Sequence, residues 1–188
     1  RESEVSLNTF EEILRMPREA KPESPVFLDR IDNLAFDHVS FKHLSGVADA
    51  VTDVTFGAAR GETIALVGPS GSGKTTLIKL LVGLYHPRAG HVRYNGVGAD
   101  AVDLDRLRGR IGFVTQDTQL FSGTIRENLV FVNPSASDGE CLDVLQKAAC
   151  QSLLERAPRG LDTVIGEAGV KVSGGEKQRL SIARALLR

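Results

Sequence analysis

Residues 26–59 carry apolar side chains at alternate positions, the pattern of strands that bury one face. The spacing is regular up to Phe36 and slips before Val39, which predicts a bulge or turn inside the first strand. A second strand follows the loop at Gly46. The alternating positions are Leu34, Phe36, Val39 and Phe41, and then Val51, Val54 and Phe56. We predict an antiparallel β lobe.

Two later runs are apolar without alternation, at residues 63–67 and 111–114. A strand buried on both faces of a parallel sheet has this pattern, so both runs predict central strands. Residues 76–84 are apolar on nearly every face, which predicts a buried helix that Gly83 and Pro87 end. Residues 90–96 predict a brief strand that the turn pair Asn95-Gly96 terminates.

The remaining periodicity is helical. Residues 103–110 predict a charged helical turn, and residues 124–160 predict a mostly helical lobe that Pro134 and Ser135 break into two helices. A last helix opens near Ser173. Strands and helices together predict an α/β fold class.

A phosphate-loop pattern, G-x-x-x-x-G-K-[ST], lies between the run at 63–67 and the helix at 76–84. It reads Gly68-Pro69-Ser70-Gly71-Ser72-Gly73-Lys74-Thr75. Glycines let bare backbone N–H groups approach a polyphosphate, and the following helix start favours an anion. Lys74 would reach the β- and γ-phosphates, and the Thr75 hydroxyl would bind Mg²⁺. The alternative is a glycine-rich turn that binds nothing, and the strand–loop–helix context favours nucleotide binding.

Gln116 follows the run at 111–114 directly. Ligands gather at the carboxyl ends of strands in open parallel sheets, which places Gln116 near the nucleotide or its Mg²⁺. A glutamine that merely caps a strand end is the alternative.

Composition restricts the partners. Lys+Arg 23 against Asp+Glu 24 leaves a net charge of −1, which argues against a nucleic-acid partner recognised through bulk charge. Cys141 and Cys150 are predicted to lie in one helical segment about 13 Å apart, too far to bridge. We expect buried thiols in a reducing compartment. The four histidines lack metal-ligand spacing, and no apolar run approaches the length of a membrane span.

The last helix opens with Ser173 and, three residues later, Glu176, which form a capping box in sequence. Capping alone does not explain the intervening Gly174 and Gly175, because each glycine costs on the order of 1 kcal/mol against alanine in a helix. Bare N–H groups at a helix start suit a second phosphate-binding surface.

Residues 173–178, Ser-Gly-Gly-Glu-Lys-Gln, resemble the signature motif of ATP-binding-cassette (ABC) proteins. The order of phosphate loop, glutamine, helical lobe and signature also matches that family, over residues 26–188. Residues 120–128 are similar to the segment after the Q-loop of exporter-type transporters, and residues 166–169 resemble the exporter X-loop. Residues 1–25, with a short helix that Asn8 and Glu11 would cap, resemble the linker from a preceding transmembrane domain.

The resemblance implies a P-loop NTPase fold with an antiparallel β subdomain, a mixed or parallel core sheet, and an inserted α-helical subdomain at 121–172. It implies ATP and Mg²⁺ as cofactors, with Thr75 and Gln116 at the metal. Nucleotide contacts are expected from His43, where the family usually has an aromatic residue, and from Gly68, Pro69, Ser70, Gly71, Ser72, Gly73, Lys74, Thr75, Thr76, Gln116, Ser173, Gly174, Gly175 and Glu176.

The expected function is ATP hydrolysis that powers export, at the cytoplasmic face of a membrane. The expected partners are a second nucleotide-binding domain, paired head to tail, and a transmembrane domain, without nucleic acid. Lys74 and Gln116 would assist catalysis. The family continues past the position of Arg188 into the Walker B aspartate, the catalytic glutamate and the switch histidine, so these 188 residues are expected to lack the catalytic base. Two alternatives stay open: a catalytically silent ATP-dependent dimerisation module, and a soluble ABC ATPase of the DNA-repair type, which the exporter-like loop and near-neutral charge disfavour.

Overall fold

A computed structural model describes Leu14, Glu19, residues 21–166 and residues 169–188. The predicted cap at Asn8 and Glu11, and the middle of the 166–169 loop, lie outside the described residues. The chain divides into two compact units, Arg1–Arg106 and Leu107–Arg188.

The first unit is built on a four-stranded antiparallel sheet. Its strands are β1 (Asn33–Phe41), β2 (Val51–Ala59), β3 (Ala89–Tyr94) and β4 (Val97–Gly98), in the order β2-β1-β3-β4. The register of β1 against β2 slips between Phe36 and Val39, so the antiparallel lobe and its bulge are confirmed. Asn95 and Gly96 have φ of 51° and 80°, as the predicted tight turn between β3 and β4 requires.

Helix α1 (Lys74–Leu81) belongs to the same unit. Leu80 is buried, and the Tyr94 hydroxyl of β3 donates to the carbonyl of Leu81, which ties the helix end to the sheet. The predicted helix is therefore present, but it ends at Leu81. Of residues 76–84 only Leu84 is exposed; Thr76, Leu80, Val82 and Gly83 are buried and the others are half-buried, so the segment is packed on several faces as predicted.

The two predicted central strands are also wrong: residues 63–67 and 111–114 form no strand. Val67 is 93% exposed and Phe113 is 39% exposed. A buried strand needs hydrogen-bonded neighbours on its edges and helices on its faces, and within the described residues neither run has a ladder partner. Hydropathy reports only that a run is apolar, and supplies no partner for its backbone.

The second unit is mostly helical, as predicted. Helix α2 (Leu104–Arg108) spans the division in sequence, and the unit then contains β5 (Gly123–Thr124), α3 (Ile125–Val130), α4 (Asp138–Lys147), α5 (Gln151–Glu155), a 3₁₀ turn (Gly160–Asp162), β6 (Val164–Ile165) and α6 (Gly174–Leu187). Strands β5 and β6 pair antiparallel. The predicted break near Pro134 falls between α3 and α4.

One apolar core joins these helices. It is formed by Ile125, Leu129, Cys141, Val144, Leu145, Cys150, Leu153, Leu161, Ile165, Leu180, Ala183 and Leu187. Both cysteines are free and buried, as expected, and burial raises the pKa of each thiol. They do not share one helix, because α4 ends at Lys147 and Ala149 turns the chain with a φ of 56°.

A buried amide holds the loop before α3 to the helices around it. Asn128 is fully buried; its side chain accepts a hydrogen bond from the N–H of Phe121 and donates to the carbonyls of Phe121 and Thr124. Arg184 of α6 pairs with the Asn128 side chain and donates to the backbone carbonyls of Asn128 and Gln119. The network therefore ties α6 to α3 and to the loop.

We predict that Asn128→Ala lowers the free energy of unfolding by about 3 kcal/mol, because buried donors and acceptors lose their partners. Denaturant unfolding followed by circular dichroism measures the loss. The matched control is Gln146→Ala on the exposed side of α4, which we expect to change stability by less than about 0.5 kcal/mol. Equal effects of the two substitutions would contradict a structural role for the buried amide.

Candidate nucleotide-binding site

The phosphate loop leads directly into α1, and glycine is required at position 73, just before the helix begins. Gly73 caps the helix with a φ of 87° and forms no side-chain capping bond. A Cβ added there would lie 2.4 Å from the carbonyl oxygen of Ala50 and 3.2 Å from Val51. The glycine therefore lets the loop pass close to the start of β2, and it leaves the first N–H groups of α1 without a side-chain acceptor.

Lys74 places its charge on the loop itself. Its ammonium donates to the carbonyls of Gly68 and Pro69, at 2.8 Å and 2.7 Å, and to the Ser72 hydroxyl at 3.3 Å. Thr75, next along α1, is exposed. A cation, bare helix N–H groups and an accessible hydroxyl are therefore adjacent, and this donor set fits a magnesium-bound polyphosphate.

His43 belongs to a three-ring cluster beside this loop. Its ring meets Phe41 and Tyr85 edge-on, with centroids 4.9 Å and 5.4 Å away, while Phe41 and Tyr85 stack at 4.8 Å. Its Nε2 lies 3.5 Å from the Thr76 hydroxyl. The structure thus brings His43 together with the helix that carries Lys74, and it adds Tyr85, which no spacing in the sequence singled out.

The other predicted site residues lie in the second unit. Gln116 is exposed and lines a shallow cavity of about 270 Å³ together with Thr118, Gly174, Lys177 and Gln178. The glutamine and the tip of α6 therefore share one cavity. The phosphate loop and His43 belong to the first unit.

The tip of α6 has the predicted capping box. The Ser173 hydroxyl accepts from the Glu176 N–H at 3.3 Å, and the Glu176 carboxylate accepts from the N–H of Ser173 at 2.9 Å and from its hydroxyl at 2.8 Å. Gly174 and Gly175 are exposed; a Cβ on Gly174 would meet nothing, and one on Gly175 would contact only the end of Arg179 at 3.5 Å. Packing within this chain does not require these two glycines, in contrast to Gly73.

Glu176 is the buried charge at this tip, with only 6% of its surface exposed. The hydrogen bond from the Ser173 backbone, aided by the Ser173 hydroxyl and by Arg156, lowers the pKa of Glu176 to about 2. Arg156 and Ser152 both reach the Glu176 carboxylate, and they lie 20 and 24 positions upstream of it. Spacing within the motif gave no sign of either residue.

The lowered pKa of Glu176 makes the local structure acid-sensitive. The carboxylate stabilises the fold above the ordinary glutamate pKa, and that contribution is lost as pH falls toward about 2. We expect wild type and Glu176→Gln to differ most in unfolding midpoint near neutral pH and to converge below pH 4. The control is Glu155→Gln on the exposed part of α5, and a constant difference at all pH values would contradict the prediction.

Among residues 21–166 and 169–188, no helix is long and apolar enough to cross a membrane. No group of three histidine, cysteine, aspartate or glutamate side chains in those ranges is arranged to hold a metal ion.

The family model of the ABC transporter matches residues 51–188. A probable multidrug resistance ABC transporter ATP-binding/permease protein of Bacillus subtilis is 43% identical over 166 residues, which cover 88% of this chain and 28% of the relative. The human mitochondrial iron-sulfur clusters transporter ABCB7 is 38% identical over 192 residues, covering 100% of this chain and 25% of the relative. The chain thus spans about a quarter of these relatives.

A solved structure agrees. A bacterial Atm1-family ABC exporter with ATP bound superimposes with a TM-score of 0.85 and 35% identity, over 97% of this chain and 32% of that one. The predicted P-loop NTPase fold class is therefore confirmed, although two of its expected strands are not formed here. The chain belongs to the ABC transporter family and is homologous to the ATP-binding part of ABC exporters.

Proposed function

We propose that this chain is part of the motor domain of an ABC exporter, which binds and hydrolyses ATP at the cytoplasmic face of a membrane. Two such domains pair head to tail, and ATP bound between them powers export. One observation carries the proposal: the chain has two glycine-lined helix starts, and only one of them, at Gly73, needs glycine for its own packing. The exposed Gly174 and Gly175 are then available to a ligand held by a neighbour.

The first helix start holds the chain's own ATP. The backbone N–H groups of Gly68 and of residues 70–76, with the Lys74 ammonium, bind the phosphates, and His43 stacks on adenine beside Phe41 and Tyr85. The Thr75 hydroxyl and the Gln116 side chain would hold Mg²⁺, which would neutralise part of the phosphate charge. Lys74 exchanges its loop carbonyls for phosphate oxygens when the nucleotide binds.

The second helix start binds the ATP of the neighbouring domain. Ser173 and the amides of Gly174 and Gly175 pair with its γ-phosphate oxygens, and they lose that partner after cleavage. ATP therefore favours the closed pair and ADP does not. Glu176 holds this tip in its helical geometry from behind, because both its oxygens face the chain's own donors.

Catalysis then needs groups from the rest of the family domain. We place the Walker B aspartate and the catalytic glutamate in the part of the relatives that follows the position of Arg188, and a transmembrane domain before residues 1–25. The ATP-binding/permease name of the Bacillus subtilis relative supports the transmembrane domain. ATP-dependent pairing without hydrolysis is the second candidate, and phosphate release by the full-length protein distinguishes the two.

We predict that Lys74→Ala weakens ATP binding by the full-length protein at least tenfold, because the loop loses its cation. Titration with a fluorescent ATP analogue measures the affinity. Lys147→Ala, which removes an exposed lysine paired with Asp143, is the control and leaves the affinity unchanged. Unchanged binding by the Lys74 variant would refute the phosphate-loop assignment.

We predict that Ser173→Arg spares ADP binding by the full-length protein but blocks ATP-dependent pairing, because the bulky cation fills the tip. Energy transfer between fluorophores on the two ATP-binding domains reports pairing. Ser137→Arg is the matched control, because Ser137 forms the same capping box at the start of α4. Pairing by the Ser173 variant at wild-type ATP concentrations would rule out the second-subunit role.

A further inference from the structure

Three helices of the second unit begin with a complete capping box, and the box of α6 differs from the other two. Glu127 and Glu140, which close the boxes of α3 and α4, are exposed to solvent. Within the part of the chain that the structure describes, their carboxylates accept hydrogen bonds from the capping residue alone. Glu176 forms the same bonds to Ser173, but it is buried and contacts two further side chains. A helix cap by itself does not need this arrangement.

The extra contacts come from Ser152, in the first turn of α5, and from Arg156, which directly follows the helix. One Glu176 oxygen is bound to Ser173, and the other accepts from Arg156 and, at 3.5 Å, from the Ser152 hydroxyl. The carboxylate thus connects the tip of α6 to α5. Because both oxygens are occupied, the carboxylate and the capped tip are held from two sides.

Arg156 extends this connection to a third segment. Its Nη2 pairs with Glu176, its Nη1 donates to the carbonyl of Lys171 at 3.3 Å, and its Nε donates to the carbonyl of Ser152 at 3.2 Å. The rigid guanidinium fork therefore bridges α5, the loop that leads into Ser173, and the first turn of α6. These three segments define where the tip points.

We propose that Arg156 is a positioning residue for the signature tip: through Glu176 and the Lys171 carbonyl, it fixes the orientation in which Ser173, Gly174 and Gly175 meet the γ-phosphate of the neighbouring domain's ATP. The proposal rests on the proposed pairing of two domains. The proposal concerns the orientation of the tip, and it assigns Arg156 no role in nucleotide binding by the phosphate loop of the same chain.

A simpler role for Arg156 would be to neutralise a buried carboxylate. The geometry exceeds that role, because only one of the three guanidinium contacts goes to a charge, and the other two go to backbone carbonyls. The two roles predict different outcomes when the charge of Glu176 is removed. A glutamine at position 176 still completes a capping box, so the charge can be removed without removing the cap.

The test uses the full-length transporter with a fluorophore on each ATP-binding domain, titrated with the non-hydrolysable analogue AMP-PNP. We expect Arg156→Ala to raise the analogue concentration for half-maximal pairing at least fivefold, while ADP affinity changes less than twofold. Arg156→Lys restores the charge but not the three-way bridge, so we expect at least a threefold increase. Wild-type pairing by Arg156→Ala would overturn the proposal.

The double variant Arg156→Ala/Glu176→Gln separates positioning from neutralisation. If Arg156 positions the tip, the double variant stays at least fivefold impaired relative to Glu176→Gln alone. If its pairing equals that of Glu176→Gln, the arginine only neutralises the carboxylate and the proposal is wrong.

Arg126→Ala is the stability control, because Arg126 pairs with Asp138 and Asp162 in the same unit but contacts nothing at the tip. We expect it to lower the unfolding midpoint and to leave pairing unchanged; an equal loss of pairing would show that Arg156 acts only through stability.

The Ser173→Arg variant shows whether the proposed pairing function itself has failed. If it pairs normally, the proposed function fails; if it does not pair while Arg156→Ala does, only the positioning role fails.

Discussion

The backbone N–H groups in the first turn of each helix lack acceptors within the helix, and the way each helix start meets this need distinguishes α1 from α3, α4 and α6. Every helix begins with backbone donors that need acceptors. Helices α3, α4 and α6 satisfy part of this need with a side chain and a carboxylate three residues on. Helix α1 does not, because its capping residue is Gly73. The first donors of α1 therefore have no side-chain acceptor in their cap, which is why we propose this helix start as a phosphate site.

Arginines connect the elements of the second unit more than its short strands do. Arg126 joins α3 to α4 and to the 3₁₀ turn, and Arg184 joins α6 to α3 and the loop before it. Arg156 joins α5 to the tip of α6. In most of these contacts the arginine donates to a backbone carbonyl or to a carboxylate near the start of a helix. The tip of α6 is thus held by directional hydrogen bonds in addition to the apolar core of its unit.

Local patterns predicted the elements whose causes are local. The strand alternation and its slip at Phe36, the Asn95-Gly96 turn, the capping box at Ser173 and the break near Pro134 are all confirmed, because each depends on residues within a few positions of one another. The two apolar runs failed as strands for the opposite reason: a strand depends on backbone partners that its own residues do not supply. The cysteines were correctly expected to be free, but the positive φ of Ala149, which separates their helices, had no marker in composition.

The family, the phosphate-loop motif and the signature motif could be recognised from residue types at fixed short spacings, because the chemistry of each motif follows from the identities of its residues. The packed structure was needed to show that Gly73 is required by its contact with Ala50 while Gly174 is not, that Tyr85 accompanies His43, and that Arg156 holds Glu176. Each of these facts is a contact between residues distant in the chain. Such contacts arise when separate elements pack, and no periodicity within one element specifies them.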